Sequence, residues 1–148
     1  MDATGRPARE IVQFFTPSDF ESSPGPVAWT RLGRGDRRVM CLRESGDRCF
    51  FLRRKRCTVY AHRPIVCREH PFDLTLDDSE RRIEVVELNL PCECLHTMDG
   101  KTSKREIKKI HRLSLQQDAD YFALVRKWNR QAKRGTERDF LKFTGLGD

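Results

Sequence analysis

At 148 residues the chain is about one domain long. With 37% hydrophobic and 34% charged residues, it gives a smaller share than usual to a core. No apolar run is long enough to span a membrane, and the polar start from Met1 to Glu10 lacks a signal-peptide pattern. These features predict a reducing cytoplasm and argue against a disulfide framework for the six cysteines. The net charge of +7 is compatible with an acidic partner and is silent about fold.

Residues 1–36 begin polar, with Gly5 and Pro7, and are expected to be extended at first. Ile11, Val12, Phe14 and Phe15 predict a short strand, and Thr16 then caps a short helix with Pro17 at its first position. Ser23-Pro24-Gly25-Pro26 breaks the chain, and residues 27–34 run into a glycine turn. In the cysteine-rich part, 37–98, residues 38–42 and 49–52 read as strands joined by the Ser45-Gly46-Asp47 turn, hence a hairpin. Residues 53–56 are four basic side chains at a loop, and 57–60 a third short strand. Arg63-Pro64 and Pro71 should end regular structure, because a residue before proline is held out of the α region. Residues 77–80 predict a polar turn and 82–90 a strand, which Pro91 terminates.

The basic part, 99–148, changes period. Ser103-Lys104-Arg105-Glu106 is a capping-box pattern, followed by Ile107, Ile110 and Leu113 at helical spacing. A second helix is predicted over 116–133, with Tyr121, Leu124, Val125, Trp128 and Ala132 on one face, Gly135 as its C-cap, and one more turn over 137–143. The reading is a single α+β domain over 1–148, with a small irregular β core, cysteine-rich loops and C-terminal helices.

Chemistry concentrates in the stretch 49–72, which holds Cys49, Cys57, Cys67, His62 and His70. Thiolates are soft ligands for zinc and for iron–sulfur centres, and clustered Cys and His in an intracellular chain point to metal or catalysis. The bland reading is that these cysteines are small buried hydrophobes. A tetrahedral zinc takes four ligands, with thiolates at about 2.3 Å. A [2Fe–2S] or [4Fe–4S] cluster takes the same four thiolates. The expected metal ligands are Cys49, Cys57, Cys67, Cys92 and Cys94, with Cys41 as a further thiol and His62, His70 and His96 as candidate nitrogen ligands or donors to the ligands. Arg63 and Arg68 flank the ligands and would either offset thiolate charge or pair with carboxylates. His111 reads as solvated, and Tyr60 and Phe72 as packing residues.

The series Cys49-x-Phe51-Leu52, Cys57-x-Val59-Tyr60-x-x-Arg63-Pro64-x-x-Cys67-Arg68-x-x-Pro71-Phe72, with Cys92 after a later strand, resembles the YkgJ-type cysteine-cluster family of zinc- or iron-chelating proteins. The resemblance implies a metal-binding module whose metal is structural or an iron–sulfur centre. A similar cluster occurs in flagellin lysine methylases, so the module also sits in enzymes. The chain departs from the family at its start. Where members carry Cys-x-x-Cys-Gly-x-Cys-Cys, Met1, Thr4, Pro7 and Ala8 stand at the cysteine positions, with Gly5 retained.

No reaction follows from the residues. Gly33-x-Gly35 lacks the third glycine and helix of a nucleotide fingerprint, and no catalytic triad can be argued. Three functional readings are expected to compete. The first is a zinc- or iron-binding protein. The second is a binding module in which the basic helices, with Lys104, Arg105, Lys108, Lys109, Arg112, Arg126, Lys127, Arg130, Lys133 and Arg134, contact nucleic acid or an acidic protein. The third is an iron–sulfur accessory subunit of an enzyme.

Overall fold

The computed structural model describes residues 5–20, 27–46, 48–70, 72–76, 83–87, 103–131 and 135–147, with backbone alone for 73–76 and 83–87. Contacts group the chain into two compact units, Met1–Phe50 with Ala119–Asp148, and Phe51–Asp118. Strands and helices are both present, so the fold class is α+β as expected.

The first unit opens with α1 (Ala8–Ile11) and β1 (Val12–Phe15). A turn of 3-10 helix, Pro17–Asp19, follows, with Thr16 as the expected cap: its N–H and hydroxyl both donate to Asp19 Oδ2. Strands β2 (Thr30–Leu32) and β3 (Asp36–Leu42) complete an antiparallel sheet in the order β1-β3-β2, in register Phe14↔Met40 and Thr30↔Arg38. Gly33 and Gly35 have positive φ, which the tight β2–β3 turn requires. Ala28, Leu32, Val125, Trp128 and Phe140 form the core of this unit, with Phe14, Met40 and Tyr121 packed against it. Phe140 is fully buried and meets Phe14 and Trp128 edge-on at ring distances of 6.2 and 5.3 Å. Such edge contacts set the ring edge against the negative face of its neighbour.

The C-terminal end of the long helix α3 (Lys104–Asn129) is tied to the edge strand β2. Trp128 Nε1 donates to the Arg31 carbonyl at 2.9 Å. Asn129 accepts from the Arg31 N–H and donates to the Trp29 carbonyl, each at 2.8 Å. An edge strand exposes backbone groups that would otherwise await a partner, and the amide of Asn129 supplies one. Helix α4 (Glu137–Phe143) follows, capped by Thr136 and Asp139.

In the second unit β4 (Leu52–Arg53) and β5 (Arg56–Cys57) form a two-stranded hairpin. A 3-10 turn, Tyr60–His62, leads to α2 (Ile65–Glu69), then to the antiparallel pair β6 (Phe72–Leu76) and β7 (Ile83–Glu87). Phe51 and Ile107 are its buried hydrophobic side chains among the described residues.

Several expectations are corrected. The hairpin of 38–42 with 49–52 does not form. β3 pairs through 39–42 with β1 and through 36–38 with β2, and the return after the turn meets only the residues beyond β3: Glu44 bridges Cys49, the Phe50 N–H donates to the Arg43 carbonyl and the Ser45 N–H to the Arg48 carbonyl. The third strand stops at Cys57, after which Thr58 and Val59 turn. The strand expected over 82–90 is present at Ile83–Glu87, but its partner Phe72–Leu76 was not expected. The two C-terminal helices are one, because Ser114-Leu115-Gln116 holds no breaker and the apolar period continues from Ile107 to Val125, about five turns on. Gly135 is not a helix C-cap: α3 ends at Asn129, and the Gly135 carbonyl accepts the Gly33 N–H before α4 begins. The 77–80 turn, Pro71 and Ala132 lie outside the described residues.

Candidate metal centre

The loop between Cys57 and Cys67 is built from local rules. Arg54 and Lys55 have φ of 48° and 63°, so the β4–β5 turn carries two consecutive left-handed residues, the backbone of a tight primed hairpin turn without the usual glycine. Leu52 pairs with Cys57, and Thr58 continues the hairpin by donating its N–H and hydroxyl to the Phe51 carbonyl at 2.9 and 3.1 Å. Cys57 is thereby fixed at the end of a strand, half-buried.

Beyond the 3-10 turn, Arg63 is extended, as a residue before proline must be, and Pro64 starts α2. The Cys67 N–H donates to the Pro64 carbonyl at 3.0 Å, which places this half-buried thiol in the first turn of α2. Arg68 Nε donates to the Arg63 carbonyl at 3.1 Å. The Arg63 guanidinium lies 4.4 Å from the centre of the Tyr60 ring, a cation–π contact. The two arginines therefore brace the loop, and neither is paired with a carboxylate among the described residues. Tyr60, expected in the core, is 51% exposed and serves as the platform for Arg63.

Glu69 at the end of α2 meets His111 of α3 at 2.7 Å, with both side chains largely buried. His111 is therefore not the solvated residue expected. The pair is 42 positions apart, and nothing in the local pattern signalled it. His70, the next residue after α2, has a buried Nε2 with no hydrogen-bond partner among the described residues, whereas His62 is exposed.

The other thiols are placed as follows. Cys49, in the first unit, is exposed opposite Glu44. Cys41 lies in β3 opposite Gln13, and burial, with the Glu44 charge second, pushes its thiol above the ordinary range. Cys92, Cys94 and His96 lie outside the described residues. Cys41, Cys49, Cys57 and Cys67 are free of disulfides, and among the described residues no three His, Cys, Asp or Glu are grouped to hold a metal.

The donor chemistry fits a thiophilic ion. Cys57 and Cys67, both half-buried, bracket a braced loop, and His70, three residues after Cys67, has a buried Nε2 without a hydrogen-bond partner among the described residues. Among the described residues no helix is long and apolar enough to cross a membrane.

No curated protein and no solved structure matches the chain. Residues 19–94 match a family described as "Putative zinc- or iron-chelating domain". The matched segment contains all six cysteines and leaves out residues 1–18. With half of its length matched, the chain belongs to this CxxCxxCC family of zinc- or iron-chelating domains.

Proposed function

We propose that the chain holds one metal centre, zinc or an iron–sulfur cluster, on thiolates drawn from Cys49, Cys57, Cys67, Cys92 and Cys94, and that the metal is chiefly structural. The observation that carries this reading is the braced loop with Cys57 and Cys67, neither of them in a disulfide, at its two ends. His70 would supply a nitrogen ligand or orient a thiolate. A bound ion would join segments that the chain leaves far apart in sequence, which is how a metal stabilises a small polar domain. Elemental analysis with an absorption spectrum on anaerobically purified protein tests it. One zinc without visible absorption, or iron and sulfide with it, supports the proposal and decides the metal. Protein purified without any bound metal, and taking up neither zinc nor iron, refutes it.

A second reading is favoured by the exposed basic side chains Lys104, Arg105, Lys109 and Arg112 near the start of α3. They suit contact with phosphates. Charge reversal at Arg105, Lys109 and Arg112 should then abolish binding to an RNA or DNA duplex and flatten its salt dependence. Unchanged affinity in that variant removes the reading.

A further inference from the structure

The two faces of the β1-β3-β2 sheet differ in chemistry. Thr30 and Leu32 of β2 are buried on the core side, and Arg31 between them is exposed on the other. Arg37 of β3 stands directly opposite Arg31 in the register, so the two share the outer face, and it too is exposed. Arg34, in the turn that joins the strands, is a third exposed guanidinium on this hairpin. Like charges directly across an antiparallel pair destabilise it. Among the described residues none of the three pairs with a carboxylate. Asp36 of the same hairpin lies opposite Leu32, hence on the core side.

Aromatic rings stand beside these charges. The Arg37 guanidinium lies over the Trp29 ring, 5.8 Å from its centre. Phe20 meets Trp29 at 90° and 6.1 Å, and Phe15 lies 5.9 Å from Phe20. Trp29 and Phe20 both remain partly exposed. A guanidinium stacked on a ring is held in place while its N–H edge stays available to an oxygen anion. The backbone edge next to this face is already taken. The Arg31 N–H and the Trp29 carbonyl are bonded to Asn129, and the Arg31 carbonyl to Trp128. A peptide adding as a further strand would find no free groups there, so recognition falls to the side chains. Guanidinium donors beside an aromatic platform suit a single strand of nucleic acid, whose phosphates need the first and whose unstacked bases need the second. A duplex keeps its bases stacked and leaves the ring without a role.

We propose that this sheet face binds single-stranded nucleic acid, with phosphates on Arg31, Arg34 and Arg37 and a base on Trp29. The surface lies wholly in the first unit and depends neither on the metal centre nor on the basic start of α3.

A tryptophan fluorescence titration of the full chain tests it, with an oligothymidylate of about twelve nucleotides as the probe. Trp128 is only 4% exposed, so a base stacking on the surface should quench Trp29. A duplex of the same length and polyglutamate are the controls. Oligothymidylate should bind about tenfold or more tighter than either, with quenching. Its salt slope should be about −2, from three phosphates at roughly 0.7 each. Arg31→Gln with Arg34→Gln alters exposed side chains and should leave the melting temperature unchanged. It should weaken binding about tenfold or more and flatten the slope to about −0.7. Trp29→Leu should remove the quenching and weaken binding about tenfold. Charge reversal at Arg105, Lys109 and Arg112 should leave this binding as it is. Duplex or polyglutamate binding as tightly as oligothymidylate overturns the single-strand assignment, and binding without quenching overturns the stacking on Trp29. No oligothymidylate binding, or an affinity unmoved by Arg31→Gln with Arg34→Gln, overturns the surface.

Discussion

Replacing Cys57 or Cys67 with serine should unfold the second unit. Its buried hydrophobic side chains among the described residues are Phe51, 8% exposed, and Ile107, 4% exposed. At about 1.5–3 kcal/mol each, these two contribute roughly 3–6 kcal/mol. A structural zinc contributes about 10–16 kcal/mol of apparent binding free energy, all of it coupled to folding. Loss of one thiolate therefore removes more than the described apolar burial supplies. The first unit differs: Ile11, Ala28, Leu32, Val39, Val125, Trp128, Phe140 and Leu141 are all buried there. Native-state hydrogen exchange provides the assay, read at the Thr58 and Cys67 amides, which donate to the Phe51 and Pro64 carbonyls. Both amides should lose protection in Cys57→Ser, in Cys67→Ser and in chelator-treated wild type. Trp29 and Trp128, the two tryptophans, both lie in the first unit, so their fluorescence should keep its melting midpoint. Cys41→Ser should leave all these signals in place. Metal-free wild type that retains full protection at Thr58 and Cys67, with Cys57→Ser matching it, would show that these thiols are ordinary packing residues.

Asn129→Ala removes two hydrogen bonds, one to Arg31 in the edge strand β2 and one to Trp29 just before it, and should cost about 2 kcal/mol, read as a lower urea midpoint at constant m. Asn129→Asp keeps the acceptor for the Arg31 N–H but sets a carboxylate oxygen beside the Trp29 carbonyl, and should be at least as damaging. In metal-free protein, iodoacetamide should alkylate exposed Cys49 before half-buried Cys41, whose raised thiol pKa keeps its thiolate scarce until more alkaline pH; peptide mass mapping against time gives the order. Hydrogen bonds from the backbone and hydroxyl of Thr136 hold Asp139 below the ordinary carboxylate range. A lowered folded-state pKa means the cap's contribution is complete above the unfolded pKa and lost as pH falls through the folded value. The Asp139→Ala melting temperature should therefore converge on wild type in strong acid and diverge towards neutrality.

What the sequence determined by itself is mostly short-range. The Thr16–Asp19 cap and the Ser103–Glu106 start of α3 could be read directly, because a capping side chain and its amide are three residues apart. The break at Arg63-Pro64 was readable because proline restricts its neighbour wherever it stands. The cysteine-cluster family was readable because its spacing and its non-cysteine residues occur together in one stretch. Tertiary structure decided what rests on long-range competition. β3 could have paired with 49–52 after a short turn; it pairs instead with β1 and β2, and the difference lies in which strands also bury Leu32 and Val39. The primed turn at Arg54-Lys55 carries no glycine to announce it. The Glu69–His111 pair and the Asn129 clamp join residues 42 and 98–100 positions apart, so no periodicity encodes them.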